Sequence, residues 1–252
     1  MRKQTIAINT PYERPDVYGA LSVPIYNNVA FEFGDAQEMA DAFTNRIKAP
    51  DYARVENPTV TNLEQRVKAL TGAAHVTAFN SGMAAISNAL LAATAQGKNI
   101  VTSRHLFGNT LALITATLLR FGVKPRLHDL TDLEAVEAAI DERTACVFLE
   151  IVTNPQMEVA DLQAIADIAH RKGVMVIADS TVIPFTETDL KRLGVDVEVV
   201  SSTKYLSGGG TSLGGLVIDY GTFPQVNQHI KYELLFNLGA YMTPQAAYMQ
   251  TL

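Results

Sequence analysis

The sequence predicts an α/β fold, a mostly parallel sheet with helices on both faces, and three observations carry that reading. From Leu63 to Asp219, short β-branched apolar runs alternate with segments of helical periodicity. Gly97, Gly122 and Gly173 fall where the helical segments should stop. With 252 residues, 48% hydrophobic and 18% charged, the chain can bury one large core with a small appendage.

In chain order, residues 1–60 read as an arm. They lack clean periodicity and carry Pro11, Pro15, Pro24, Pro50 and Pro58 among Tyr12, Tyr18, Tyr26, Phe31, Phe33 and Tyr52. That many rings need a surface, so the arm is expected to drape over its own domain or a partner subunit. Residues 61–231 form the main domain. Its strands are read at His75–Phe79, Asn99–Ser103, Lys124–His128, Ala145–Val152, Val174–Ala178 and Val195–Ser201, with a further short one over Leu213–Asp219. Its helices are read at Thr61–Leu70, Gly82–Ala95, Thr110–Arg120, Leu133–Ile140, Leu162–Lys172 and Glu187–Leu193. Thr131 or Asp132 caps the segment from Leu133, and Asp161 the segment from Leu162. Right-handed crossovers then make the sheet mostly parallel. Residues 232–252 are apolar without a polar tail and read as the start of a linker or helix toward a further domain.

A net charge of -6 without a basic stripe excludes a duplex partner and leaves a small-molecule substrate. The single cysteine, Cys146, sits in the apolar run Ala145-Cys146-Val147-Phe148-Leu149 and reads as a buried small hydrophobe. No disulfide can close within the chain, and a reducing cytoplasm is the expected location. No stretch has the length of a membrane span, and residues from Met1 onward show no apolar core of signal-peptide length. No metal ligands are put forward.

Ligands of parallel sheets gather at the carboxyl ends of the strands. There the sequence places Asn80-Ser81-Gly82-Met83 at a helix start, a site for an anion. It also places Arg104 to Thr110, Glu150 with Asn154-Pro155, Asp179-Ser180-Thr181, and the turn Ser201-Ser202-Thr203-Lys204-Tyr205. An amine such as Lys204 attacks an aldehyde once desolvation and neighbouring dipoles remove its proton. Hydroxyls and glycine N–H groups around it suit a phosphate ester. By itself such a turn is an ordinary solvated loop. Asp179 ends an apolar strand and needs a cationic or hydrogen-bonding partner, which a protonated ring nitrogen supplies. Anion cradle, amine and carboxylate match the phosphate, aldehyde and pyridine nitrogen of pyridoxal phosphate.

At these residues the chain resembles the Cys/Met-metabolism family of pyridoxal-phosphate enzymes, which includes cystathionine synthases and lyases, methionine γ-lyases and O-acetylhomoserine sulfhydrylases. The matching stretches are Tyr52-Ala53-Arg54, Asn57-Pro58-Thr59, Ser81-Gly82-Met83-Ala84-Ala85, Phe107-Gly108-Asn109-Thr110, Glu150 with Asn154-Pro155, Asp179-Ser180-Thr181 and Ser201 to Gly208. The resemblance implies the large domain of the aspartate aminotransferase fold type I. It implies that Lys204 forms the imine and later moves the Cα proton, and that Asp179 keeps the pyridine nitrogen protonated. Ser81, Gly82, Met83, Ser201 and Thr203 would hold the phosphate, with Phe107, Glu150, Asn154 and Thr181 completing the cofactor site. Tyr52 and Arg54 would reach a neighbouring subunit's site, in a homotetramer built from dimers that share active sites. Their plainer readings are arm packing for Tyr52 and a solvated loop charge for Arg54.

Phe107 stands where the family usually has a tyrosine, and a phenyl ring stacks but cannot transfer a proton. Acid–base work at the leaving group then falls to Lys204, to Tyr52, or to the leaving group itself. Asn109 replaces the cysteine typical of methionine γ-lyases, and Phe107-Gly108-Asn109-Thr110 is most similar to the sulfhydrylase branch. Ser180, Val182 and Gly209 replace a usual Asn, Phe and His. Family members continue into a C-terminal domain with the arginine that grips the substrate carboxylate, so the chain is expected to be a truncated piece. The expected reaction is γ-replacement on an O-acylated homoserine by sulfide or a thiol. The alternatives are γ- or β-elimination from cystathionine, methionine or cysteine, and a catalytically silent cofactor-binding module.

Overall fold

The computed structural model describes residues 2–10, 18–44, 46–47 and 49–252. Pro11, Tyr12 and Pro15 of the arm lie outside the described residues.

The arm contains two helices that the lack of periodicity did not lead us to expect, α1 (Lys3–Asn9) and α2 (Ala36–Phe43). Asp35 caps α2 by accepting from Glu38 N at 2.8 Å. Tyr18 is exposed, whereas Tyr26, Phe31 and Phe33 are half-buried, and Phe33 tilts against Phe43 at 6.4 Å between ring centroids. Lys3 anchors α1 to the main domain by donating to the carbonyls of Phe185, Thr186 and Thr188 at 3.1, 2.8 and 3.3 Å.

The main body begins with α3 (Pro58–Thr71), capped by Asn57, followed by β1 (His75–Phe79), α4 (Gly82–Ala93) and β2 (Asn99–Ser103). Residues from Gly108 to Arg120 are helical throughout: α5 (Gly108–Ala112) passes through a π turn, Leu113–Thr117, into α6 (Leu118–Arg120). Then come β3 (Lys124–His128), α7 (Leu133–Ala139), β4 (Thr144–Glu150), α8 (Leu162–Arg171), β5 (Met175–Asp179), β6 (Val197–Val200) and β7 (Gly215–Asp219). Of the two candidate caps before α7, Asp132 accepts from Ala135 N, and Asp161 caps α8 as expected.

The predicted helix over Glu187–Leu193 is replaced by turns. Pro184 precedes it, Asp189 Oδ1 accepts from Arg192 N, and Gly194 takes a φ of +82°, so the segment has too little length to propagate a helix. Leu190 instead plugs the core at 2% exposure. The apolar tail is helical. A segment from α9 (Gln225–His229) through a π turn, Ile230–Leu234, to α10 (Leu235–Leu238) runs across position 232, and α11 (Pro244–Thr251) packs on α3.

The seven strands form one sheet in the order β1-β7-β6-β5-β4-β2-β3. Only β7 runs antiparallel to its neighbours. One face packs Val76, Val147, Val176 and Ile218 against α3, α7, α8 and α11. The other packs Phe79, Phe148, Ile177, Val199 and Val217 against α4, the π turn at Leu113–Thr117 and the Gln225–Leu238 segment. Cys146 lies in this second core, where burial pushes its thiol up to about 12 and leaves it inert at neutral pH. No helix among the described residues is long and apolar enough to cross a membrane.

Candidate active site

A cavity of about 310 Å³ opens over the carboxyl ends of β1, β4, β5 and β6. Its wall contains Ser81, Gly82, Met83, Phe107, Glu150, Asn154, Asp179, Thr181, Ser201, Thr203 and Lys204. These are the residues that the strand-end pattern pointed to, drawn from five separate stretches of chain. Val182, Leu213, Asn109, Val152 and Ile86 complete the wall.

One end of the cavity is the N-terminus of α4. Ser81 caps that helix by accepting from Ala84 N at 3.1 Å, and Gly82 and Met83, at its first two positions, have no intrahelical acceptor for their N–H groups. The glycine is dictated by contact. A Cβ at Gly82 would stand 2.5 Å from Ser201 Cβ and 2.9 Å from Ser201 Cα. The helix start therefore touches the Ser201–Lys204 turn, and N–H groups and hydroxyls converge on one anion-sized corner.

Asp179 sits at the floor. It is 7% exposed, its Oδ1 accepts from Thr181 N at 2.8 Å, and burial raises its pKa against that hydrogen bond. A protonated ring nitrogen is the partner that returns such a carboxyl to its ionised form. Thr181 Oγ1 accepts from Ser201 N at 2.8 Å, tying the Asp179 segment to the lysine turn. Within that turn, Thr203 Oγ1 donates to Gly214 O at 3.1 Å and accepts from Gly214 N at 3.0 Å. Lys204 is exposed and lines the cavity, so its amine is open to a ligand there.

Glu150 forms the opposite wall. Its Oε1 accepts from Phe107 N at 2.5 Å and its Oε2 from Asn154 N at 3.2 Å, so one carboxyl holds both loop segments in place. Burial, with Asp179 adding to it, pushes this carboxyl up to about 7 against those two hydrogen bonds. Phe107 is half-exposed at 46% and presents its ring without a polar atom.

Tyr52 and Arg54 are not in this wall. They line a separate groove of about 780 Å³ with Phe43, Lys231, Tyr232 and Phe236. The Arg54 guanidinium lies 5.3 Å from the centre of the Tyr52 ring and donates to Phe236 O.

The residues fit pyridoxal phosphate on three grounds: an N–H-lined cradle that a Cβ would fill, a buried carboxyl lacking a cation, and an amine open to the same space. The mostly parallel sheet with helices on both faces and a cavity at its strand ends is shared with solved pyridoxal-phosphate enzymes of fold type I. The sequence profile described as "Cys/Met metabolism PLP-dependent enzyme" matches residues 4–252, and the chain belongs to that family. The O-acetyl-L-homoserine sulfhydrylase of Corynebacterium glutamicum is 38% identical over 231 residues, 91% of this chain and 52% of that protein. The L-methionine gamma-lyase of Fusobacterium nucleatum is 38% identical over 236 residues, 92% of this chain and 59% of its own. A Campylobacter jejuni crystal structure assigned to an O-acetylhomoserine (thiol)-lyase superposes with a TM-score of 0.93 at 32% identity, covering 100% of this chain and 69% of that one; it contains N'-pyridoxyl-lysine-5'-monophosphate. The chain spans about half the length of the curated relatives it matches.

Proposed function

We propose that this chain carries the cofactor half of a pyridoxal-phosphate enzyme of sulfur amino-acid metabolism that exchanges the γ-substituent of an O-acylated homoserine for sulfide or a thiol. The observation that carries this reading is the meeting of Lys204, Asp179 and the Ser81-Gly82-Met83 cradle in one cavity whose remaining wall includes Phe107 and Asn109. When bound, the cofactor supplies an electron sink for negative charge at the substrate Cα. Lys204 Nζ would hold the aldehyde carbon and then carry the proton at Cα. Asp179 would hold the ring N–H, and the α4 N-terminus with Ser201 and Thr203 would bind the phosphate. Phe107 would stack on the ring and exclude water without moving a proton. A carboxylate leaving group needs no such proton, which favours an acyl ester over a thiol as the group that departs.

Tyr52 and Arg54, set apart from the cavity of their own chain, would serve the phosphate of a neighbouring subunit's site. A dimer that shares sites in this way, paired again into a homotetramer, is the assembly we propose, working in the cytoplasm on amino acid and sulfide or thiol alone.

Two measurements test this. Lys204→Ala should lose the visible absorbance of lysine-bound cofactor; an unchanged spectrum sinks the assignment. Homocysteine formed from O-acetylhomoserine and sulfide should exceed α-keto acid released from methionine or cystathionine. The reverse result supports the eliminating lyase, a reading favoured by the equal identity to the Fusobacterium nucleatum protein. Cofactor uptake without either product supports a silent binding module.

A further inference from the structure

Glu198 lies in the middle of β6 with 0% exposure, in register with Ala178 of β5 and Ile218 of β7, on the face packed by α3, α8 and α11. A carboxyl in such an apolar layer is costly unless both oxygens are hydrogen-bonded. Both are. Its Oε1 accepts from Ser180 Oγ, and its Oε2 accepts from Tyr220 OH at 2.6 Å. Burial raises its pKa, and Asp179 adds to that rise.

Ser180 follows Asp179 directly and is itself fully buried. Its N–H donates to Val199 O at 3.0 Å while its hydroxyl donates to Glu198, so β6 grips it through main chain and side chain together. Asp179 faces the cavity from one side of the sheet, and its successor is locked on the other. The backbone that carries the Asp179 carboxylate therefore cannot shift along β6 without breaking the Ser180–Glu198 bond. Glu198 lies outside the cavity wall and is joined to it through Ser180, which stands between the wall residues Asp179 and Thr181.

We infer that Glu198 is a positioning residue for Asp179: acting through Ser180, and held in turn by Tyr220, it fixes the carboxylate that meets the cofactor's ring nitrogen. This rests on the cavity being the pyridoxal-phosphate site. The charged and titratable groups that bear on Glu198 are Asp179 of β5, Tyr220 after β7 and Lys3 of α1. Glu198 touches no reacting atom, so its effect should appear in the bound cofactor's affinity and colour, not solely in turnover.

The test uses the 252-residue chain with pyridoxal phosphate as the probe. Ser180→Ala and Glu198→Val should each weaken cofactor binding by about tenfold, as the Asp179 carboxylate loses its fixed place opposite the ring nitrogen. They should also move the midpoint of the bound chromophore's pH titration by about one unit. Glu198→Gln, which keeps an acceptor and gains a donor, should restore most of the affinity. A merely structural glutamate predicts lower melting temperatures with unchanged affinity and unchanged titration, and that outcome overturns the inference. If Glu198→Val fails to fold, Ser180→Ala and Glu198→Gln decide it. Should the wild-type chain bind no pyridoxal phosphate, or Lys204→Ala keep its absorbance, the reading of the cavity fails; normal wild-type binding with unaltered Ser180→Ala spectra sinks the Glu198 inference alone.

Discussion

The strand-end cavity and the arm groove are built by different means. The cavity collects one short stretch from each of several parallel strands, and each stretch is fixed by bonds to its neighbour: Thr181 to Ser201, Thr203 to Gly214, Glu150 to Phe107 and Asn154. The groove around Tyr52 and Arg54 is formed where residues 49–56 of the arm meet the Gln225–Leu238 segment, and α2 beside it buries only Ala42. A sheet holds its edge residues to within the tolerance of a hydrogen bond, so chemistry that needs fixed distances belongs there. Residues on an arm are positioned by whatever the arm covers. In the assembly proposed above, Tyr52 and Arg54 gain their fixed geometry from a second subunit.

The largest expected effect breaks the cavity from inside. Gly82→Ala forces a Cβ to 2.5 Å from Ser201 Cβ and 2.9 Å from its Cα, so α4 and the lysine turn must separate. Pyridoxal-phosphate affinity should fall by about a hundredfold, measured by absorbance titration, because the anion corner opens. Gly108→Ala sits on the same rim with nothing within 4 Å of its new Cβ and should bind nearly as wild type. Equal losses in the two variants would refute the contact argument.

A second effect sharpens the contrast between the regions. Arg54→Ala should weaken cofactor binding by about tenfold, and only where the chain is oligomeric. In mixtures of Arg54→Ala with Lys204→Ala, one site of each mixed pair has both residues intact, and tight binding at that site should return. Mixed oligomers that bind no better than Arg54→Ala alone would mean that Arg54 serves its own groove, where it stacks on Tyr52 and donates to Phe236 O.

The same division governs how much could be read from the sequence. Asp179 and Lys204 were legible because an apolar strand followed by a polar residue marks a sheet edge, and the edge is where the cavity lies. The direction of β7 was not, since a strand's periodicity is the same whichever way it runs. Glu187–Leu193 has helical spacing, but Leu190 is used as a plug and the chain turns around it. In α2 the cap Asp35 and the i, i+3, i+4, i+7 row of Ala36, Met39, Ala40 and Phe43 were both present, but a helix of 8 residues among prolines and rings gives too short a run to stand out. Glu198 is the clearest miss. Val197-Glu198-Val199 alternates like a strand with one wet face, but α3, α8 and α11 cover that face, and the partners that make a buried carboxyl tolerable, Ser180 and Tyr220, lie 18 and 22 residues away in sequence.

A third effect concerns pH. In the folded chain without cofactor, the Glu150 carboxyl is raised from 4.5 to about 7. Between those values the folded state keeps a proton that the unfolded state has lost, so stability should decline as pH rises through this window. The slope from this one group is at most about 1.4 kcal/mol per pH unit. Glu150→Gln should flatten the curve of melting temperature against pH and leave the chain relatively more stable at pH above about 7. An unaltered curve would show that Glu150 titrates normally and that its hydrogen bonds to Phe107 and Asn154 outweigh its burial.

The smallest effect compares a cap in each region. Asp161 accepts from Ala164 N at 3.0 Å and starts α8, which buries Leu162, Ile165, Ala166, Ile168 and Ala169 against the sheet. Asp35 makes the same bond to Glu38 N at 2.8 Å, but starts a helix whose residues are mostly exposed. The bond is alike in both, and each cap is worth about 1 kcal/mol to its own helix. What differs is whether the helix unfolds with the rest. Losing Asp161 should lower the global unfolding free energy by that about 1 kcal/mol in a urea titration, since α8 cannot open without exposing the core. Losing Asp35 should leave the global transition in place and raise amide exchange in α2 alone, because a poorly buried helix frays independently. If Asp35→Ala shifted the global midpoint as far as Asp161→Ala, the arm would be a cooperative part of the domain, and its geometry would no longer need a second subunit to fix it.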